Sequence, residues 1–156
     1  MVEEFRAAGE THFNNEEGIK DNDFPAYVRW LQNGSQGIGL ENGLVPWSAF
    51  WLMEPDSRSI IGVSSVRHRL SPFLEQRGGH VGYAIRPSRR RQGYGKLILS
   101  LTLKEVKQLG LRHILLICHS NNVGSVRIIE ASGGKFQDEI VVEGESPLSR
   151  YWIDLP

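Results

Sequence analysis

The sequence predicts an α/β fold: a mixed, mostly antiparallel central sheet with one parallel strand–helix–strand crossover. Three observations carry that prediction. Residues 80–85 and 114–118 are apolar, strand-like runs, separated by a glycine-spaced basic turn and a helix-like segment at 96–109, which is the pattern of a crossover unit. Residues 47–53 and 60–68 flank the turn Glu54-Pro55-Asp56-Ser57 and read as a hairpin. Residues 136–142 and 151–155 alternate around a turn at 143–147 and close the chain as an antiparallel pair.

The remaining elements follow in order. Residues 1–22 are polar and lack a clear period, predicting a short helix near Phe5 and then a loose, partly mobile segment. Residues 23–31 predict a short helix, with Pro25 tolerated in the first turn and Tyr27, Trp30 and Leu31 on one side. The glycine-rich stretch 33–42 reads as a loop. Residues 70–79 form a connection with a helical turn, punctuated by Pro72 and Gly78-Gly79. Gly110 predicts a cap for the crossover helix. Asn121-Asn122 opens a further helix with Ser125 in its first turn, and that helix stops at Gly133-Gly134.

At 156 residues the chain has the length of one domain with one proper core. Eighteen basic residues balance eighteen acidic ones, so neither nucleic acid nor an acidic membrane is an expected partner. The positive charge is concentrated locally instead, at residues 86–91. One cysteine, Cys118, excludes an intramolecular disulfide framework and suits a reducing cytoplasm. The N-terminus is acidic and lacks the apolar run of a signal peptide, and the stretch 44–53 is too short to span a bilayer. Cys118 and the scattered histidines show no metal-ligand spacing. No nucleophile elbow is present either.

The chemistry sits in Arg86-Pro87-Ser88-Arg89-Arg90-Arg91-Gln92-Gly93-Tyr94-Gly95-Lys96. Between a strand and a helix, such a turn lets backbone N–H groups converge on a phosphate at the positive end of the helix dipole. Three adjacent arginines repel one another and are most easily explained by an anion among them. Spacing separates the known loop types. A Walker A loop fails, because Leu97 follows Lys96 and Arg90 stands at the upstream glycine position. A dinucleotide fingerprint is weak, because Ile98 stands where its third glycine belongs. What fits is Arg/Gln-x-x-Gly-x-Gly/Ala, filled by Arg90, Arg91, Gln92, Gly93, Tyr94 and Gly95.

Here the chain resembles the GNAT superfamily of acyl-CoA N-acyltransferases, from about residue 47 to residue 155. The run Arg67-His68, Gly78-Gly79-His80-Val81-Gly82-Tyr83 and Arg86-Pro87-Ser88 is similar to a subgroup of predicted acetyltransferases with no settled substrate. The resemblance implies an acetyl-CoA-dependent N-acetyltransferase acting by direct attack of a primary amine, on a small molecule or peptide, with no metal. The backbone of residues 91–96 would face the coenzyme A pyrophosphate. The strand before the loop would carry a bulge and splay from its neighbour, opening a gap between Tyr83-Ala84-Ile85 and Ile117-Cys118. Ala84 and Ile85 would admit the pantetheine arm, and Asn122 and Ser125 would lie beside the cofactor, although both also read as an ordinary helix cap. Trp30, Trp47 and Trp51 would line the acceptor pocket.

Two catalytic roles are less settled. Many relatives place a tyrosine four residues after the Ser125 position to protonate the departing thiolate; here Ile129 stands there. Tyr151 and Cys118 are substitutes that nothing in the sequence selects. His80, on the strand before the loop, is the candidate base, with His68, His119, Glu54 and Asp138 as alternatives. The competing reading is a non-catalytic coenzyme A-binding sensor or regulatory module of the same fold. An exposed edge of the closing hairpin could pair two subunits.

Overall fold

The computed structural model describes residues 1–10, 23–41 and 43–156. In chain order the elements are α1 (Val2–Ala7), α2 (Phe24–Gln36), β1 (Trp47–Met53), β2 (Ile60–Arg67), α3 (Pro72–Arg77), β3 (Val81–Ile85), α4 (Tyr94–Gln108), β4 (His113–His119), α5 (Val123–Ala131), β5 (Lys135–Ile140) and β6 (Leu148–Asp154). A short 3-10 turn at Pro87–Arg89 precedes α4. No helix among the described residues is long and apolar enough to cross a membrane.

The α/β class holds, but the sheet divides in two. β1-β2-β3 form one antiparallel sheet and β4-β6-β5 another. The expected parallel pair, β3 with β4, forms no ladder. Among the described residues the sheets are stitched at a single point, where the His80 N–H donates to the Leu115 carbonyl at 2.7 Å and the Leu115 N–H donates to His80 Nδ1 at 2.9 Å. Past that pinch the strands run the same way, with Tyr83 beside Cys118, and diverge.

Helix α4 covers one face of this split sheet. Leu99 and Val106 pack with Val66, Val81, Ile114, Leu116, Ile129, Tyr151 and Ile153 in a continuous core. Each large apolar side chain buried there contributes about 1.5–3 kcal/mol before entropy is charged against it. A buried hydroxyl pair adds direction: Ser64 Oγ and Thr102 Oγ1 lie 2.7 Å apart, and Thr102 also donates to the Ile98 carbonyl.

Helix α2 is longer than its predicted 23–31. Asp23 caps it by accepting from the Ala26 N–H at 2.9 Å, and it continues through Gly34 and Ser35 to a left-handed residue at Gly37. Gly34 is buried directly against the Trp47 indole, so packing holds helical a segment whose residues favour a loop. The closing pair also differs in extent, β5 beginning at Lys135 and β6 at Leu148. Of the loose N-terminal segment, residues 1–10 are instead docked through α1, with Phe5 1% exposed; residues 11–22 lie outside the described residues.

Candidate active site

Beyond the pinch, strand pairing dictates which backbone groups face the gap. Arg86 N–H donates to Ile61 O and Arg67 N–H donates to His80 O, so residues 82 and 84 also direct their backbone groups toward β2. Val81, Tyr83 and Ile85 therefore point theirs the other way, into the gap. On the far side, Leu155 N–H to Arg112 O and Ser120 N–H to Pro147 O set the same alternation, and Ile117 and His119 face β3. The result is two facing strand edges with no ladder between them. A chain rich in amides can pair with such edges as an added strand would.

The expected bulge in β3 is absent: its register with β2 runs without interruption from Val66↔Val81 to Gly62↔Ile85. The His80–Leu115 stitch holds one end of the gap closed.

The open end of the gap meets the basic loop. Arg91 has φ 59° and Gly93 φ 86°, two left-handed residues bracketing Gln92. Consecutive N–H groups in such a turn converge into an anion-binding concavity. Gly93 is the N-cap of α4 and offers no side chain to the helix start, so the N–H groups of the first turn have no side-chain cap. Gly95 serves a different purpose: a Cβ there would lie 2.6 Å from Ile128 Cδ1, so the glycine lets α4 and α5 approach closely. Tyr94 is half-buried and Lys96 exposed in the same turn.

The arginines correct the sequence argument. Arg86 Nε lies 2.6 Å from Glu4, Arg89 pairs with Glu54 at 3.1 Å, and Arg90 forms a two-pronged pair with Glu10 at 2.5 and 2.8 Å. Arg90 Nε also donates to the Ile85 carbonyl at 3.0 Å. Carboxylates, not a missing anion, relieve most of the repulsion, and Arg90 staples the loop to the strand. It also occupies the Ile85 carbonyl, leaving the Ile85 N–H to face the gap. Arg91 is exposed and forms no ion pair among the described residues. Gln92 turns back to the Ser88 carbonyl at 3.2 Å.

Asn122 acts as the expected cap: its side-chain oxygen accepts from the Ser125 N–H at 3.1 Å. The Ser125 side chain faces Tyr83, whose buried hydroxyl has no partner in hydrogen-bonding geometry among the described residues. Burial raises the Tyr83 pKa above its ordinary value. Ala84 is half-buried and Ile85 is 8% exposed, packed toward Gly62 and Ile98 as core.

His80 does not have the geometry of a base. It is 7% exposed, and its Nδ1 lone pair is committed to the Leu115 N–H, so Nε2 carries the proton. Burial, reinforced by the positive charges of His113 and Arg67, lowers its pKa to about 4. The sequence reads His80 as the first residue of the strand before the loop; it lies one residue before β3, and its ring takes the place of a strand-to-strand hydrogen bond.

The alternatives sort cleanly. Glu54 is held low by Ser57 and Arg89, and Asp138 by its 2.6 Å contacts with Arg150. His68 Nε2 lies 2.9 Å from Ser48 Oγ. His119 is different. It ends β4 at the open end of the gap, and its Nδ1 lies 3.1 Å from the Ser146 carbonyl, which can only accept. Nδ1 is therefore a donor, and no partner of Nε2 is found among the described residues.

Neither substitute acid stands out. Burial pushes the Cys118 thiol up to about 11, with the Glu130 charge adding to it, and Tyr151 is 4% exposed within the core. No cluster among the described residues could hold a metal ion.

Trp30, Trp47 and Trp51 do come together, joined by Phe24 and Tyr27. Tyr27 stacks on both Trp30 and Trp51, and Trp30 tilts against Trp47 with ring centres 4.8 Å apart. This aromatic row fixes α2 on the sheet face opposite α4.

Solved structures share the architecture. One is the assigned acetyltransferase yncA of Salmonella typhimurium, solved with acetyl-CoA; it superposes with a TM-score of 0.62 at 16% identity over 88% of this chain and 75% of its own. A spermidine N-acetyltransferase chimera of Vibrio cholerae SpeG and hSSAT gives 0.60 at 15% identity, over 86% of this chain and 75% of its own. An assigned ribosomal-protein-serine acetyltransferase from Vibrio cholerae gives 0.59 at 16% identity, over 98% and 87%. None of the curated proteins matches the chain. At these identities the structures establish the fold alone. The sequence itself, over residues 19–135, matches the family model for the acetyltransferase (GNAT) domain. With three quarters of its length spanned by that match, an uncapped helix start beside a split sheet and the loop pattern at residues 90–95, this chain belongs to the GNAT acetyltransferase family.

Proposed function

We propose that the protein is an acetyl-CoA-dependent N-acetyltransferase whose acceptor is the primary amine of a small molecule or peptide. The observation that carries this reading is the gap: two facing strand edges that lead directly to an uncapped helix start. In this reading the nest at Arg91–Gly93 and the first-turn N–H groups of Tyr94, Gly95 and Lys96 hold the diphosphate. Backbone groups of Tyr83, Ile85 and Ile117 pair with the amides of the pantetheine arm. The thioester, when bound, supplies the acetyl group and its thiol leaving group. A strand N–H directed into the gap would stabilise negative charge on the acyl oxygen; losing one such donor costs about 3–4 kcal/mol in comparable sites. An amine acceptor is favoured by analogy with the spermidine and phosphinothricin N-acetyltransferases that share the fold.

A substrate ammonium with an ordinary pKa near 10 must lose a proton before it attacks. In this reading His119 takes over from His80 as the base, directly or through water, because it ends β4 at the open end of the gap and its ring is solvent-exposed. His119→Ala is expected to lower kcat about 100-fold or more at pH 7 while the Kd for acetyl-CoA changes less than twofold. Wild-type turnover in that variant would remove His119 from the mechanism.

Titration calorimetry with acetyl-CoA and coenzyme A, followed by thiol release against a panel of amines that includes polyamines, tests the whole reading. Binding with release supports the enzyme; absence of binding overturns the assignment of the loop. A second reading, a coenzyme A-binding module without transfer, is favoured by one observation. Ile129, at the position where relatives carry a tyrosine acid, is 1% exposed in the core. Binding without release for any amine supports that module. A thiol with a pKa near 8.5 leaves tolerably without a dedicated acid, which is why the enzyme reading stands first. The lone half-buried Cys118 is consistent with a cytoplasmic protein.

A further inference from the structure

We propose that the N-terminal segment, helix α1 and the Glu10 that follows it, is a positioning element of the phosphate loop, with Glu4 and Glu10 holding the anion-binding nest in shape from either side. The inference rests on the diphosphate reading of that loop.

The contacts reach across more than half the chain. Glu4 Oε1 accepts from Arg86 Nε at 2.6 Å, and Glu4 Oε2 accepts from the Ser88 hydroxyl at 2.8 Å and the Ser88 N–H at 3.3 Å. One carboxylate thus secures both ends of the step from β3 into the 3-10 turn. Glu10 accepts from both terminal nitrogens of Arg90, whose third nitrogen reaches the Ile85 carbonyl. The Arg90 guanidinium also sits 5.5 Å over the ring of buried Phe5 on α1, and the Glu10 N–H donates to the Phe5 carbonyl, so the aromatic support and the charge come from one N-terminal unit. Hydrogen bonding from Ser88 and Arg86 lowers the Glu4 pKa to about 2, and Arg90 lowers that of Glu10.

What these contacts brace is the next residue. Arg91 adopts φ 59° although it is not glycine, a conformation that costs about 1–3 kcal/mol and persists only where neighbours impose it. Arg90 is fixed on one side of it, and Gly93 starts α4 on the other. With Arg86, Arg89 and Arg90 engaged by carboxylates, Arg91 is the loop arginine whose cation is open to a phosphate. The carboxylates therefore shape the nest without filling it, and they leave its net pull on an anion to the backbone, Arg91 and Lys96.

The test is the double variant Glu4→Gln with Glu10→Gln, which keeps side-chain size and removes both charges. Three probes are titrated: coenzyme A and ADP, which carry the diphosphate, and pantetheine, which does not. We expect Kd for coenzyme A and ADP to rise about tenfold, about 1.4 kcal/mol, with pantetheine binding unchanged. Unchanged or tighter binding of coenzyme A would overturn the proposal, tighter binding because the carboxylates would then be competing with phosphate. Equal weakening of pantetheine would also overturn it, since that marks general loosening. Hydrogen exchange of the ligand-free protein adds a readout independent of binding: amides 91–96 should exchange faster in the variant, and unchanged protection there counts against the brace. If the wild-type protein binds neither coenzyme A nor ADP, the reading of the loop fails, while the exchange result still decides whether the N-terminal segment braces it.

Discussion

Replacing Gly93 by glutamate is expected to abolish measurable acetyl-CoA binding while the protein stays folded. Gly93 has φ 86°, and a Cβ built on it meets no atom within 4 Å, so the new side chain enters open space at the helix start. The backbone strain of a non-glycine residue there is about 1–2 kcal/mol, an affordable fraction of a domain's stability. The electrostatic effect is larger where it matters. A carboxylate one residue before α4 can accept from the N–H groups of the first turn and places a negative charge where the proposed reading puts the diphosphate. A weakening of at least 100-fold in Kd is expected, about 2.7 kcal/mol, read by titration calorimetry, with circular dichroism and Tm reporting the fold. Gly93 is the cleaner site for this test than Gly95. A side chain at Gly95 must displace Ile128, so its loss of binding would mix a packing defect with the loss of the nest. Wild-type affinity in Gly93→Glu would take the loop out of the mechanism.

The second large effect is on stability. His80→Ala removes the acceptor for the Leu115 N–H and leaves that group buried without a partner at the only backbone stitch seen between the two sheets among the described residues. An unsatisfied buried donor costs about 1–3 kcal/mol, and the vacated ring volume adds to it. A fall in Tm of about 4–12 °C is expected at pH 7.5 for a chain of this size. The pH dependence has a definite sign. His80 titrates at about 4 in the folded protein against 6.5 ordinarily, so between those values the unfolded chain binds a proton that the folded one excludes. Wild-type stability should therefore fall as pH drops from about 6.5 to 4, by up to roughly 3 kcal/mol, and this contribution vanishes above 6.5. In the alanine variant that acid-sensitive limb disappears, and the Tm difference between the two proteins narrows toward pH 4. A variant with wild-type Tm but greatly reduced turnover would instead return His80 to the role of base.

Much of the architecture was legible in order of residues. The hairpin around Glu54-Pro55, the crossover strand–helix–strand and the closing pair are all encoded by local alternation and by glycine or proline punctuation, which act over a few residues. The same locality made the turn before α4 readable: Gly93 supplies the left-handed residue at which the helix starts. Locality also explains the misreadings. The continuation of α2 through Gly34 depends on the Trp47 ring lying against it, a contact between different elements. The apolar runs of β3 and β4 predict two neighbouring strands but not that they part after one stitch.

The candidate site divides along the same line. Residue identity and spacing alone determined that this protein has a glycine-spaced turn leading into a helix, a family pattern at residues 90–95 and no tyrosine where Ile129 stands, because each of these is a property of a short contiguous segment. Which groups remain free to act was decided only by the tertiary structure. Glu4 and Glu10 neutralise Arg86 and Arg90 from about eighty residues away, the Leu115 N–H claims the His80 lone pair, and the Ser146 carbonyl accepts a hydrogen bond from the His119 Nδ1–H. The physical reason is that a side chain's charge state and free lone pairs depend on its partners in space, and chain folding, not chain order, chooses those partners.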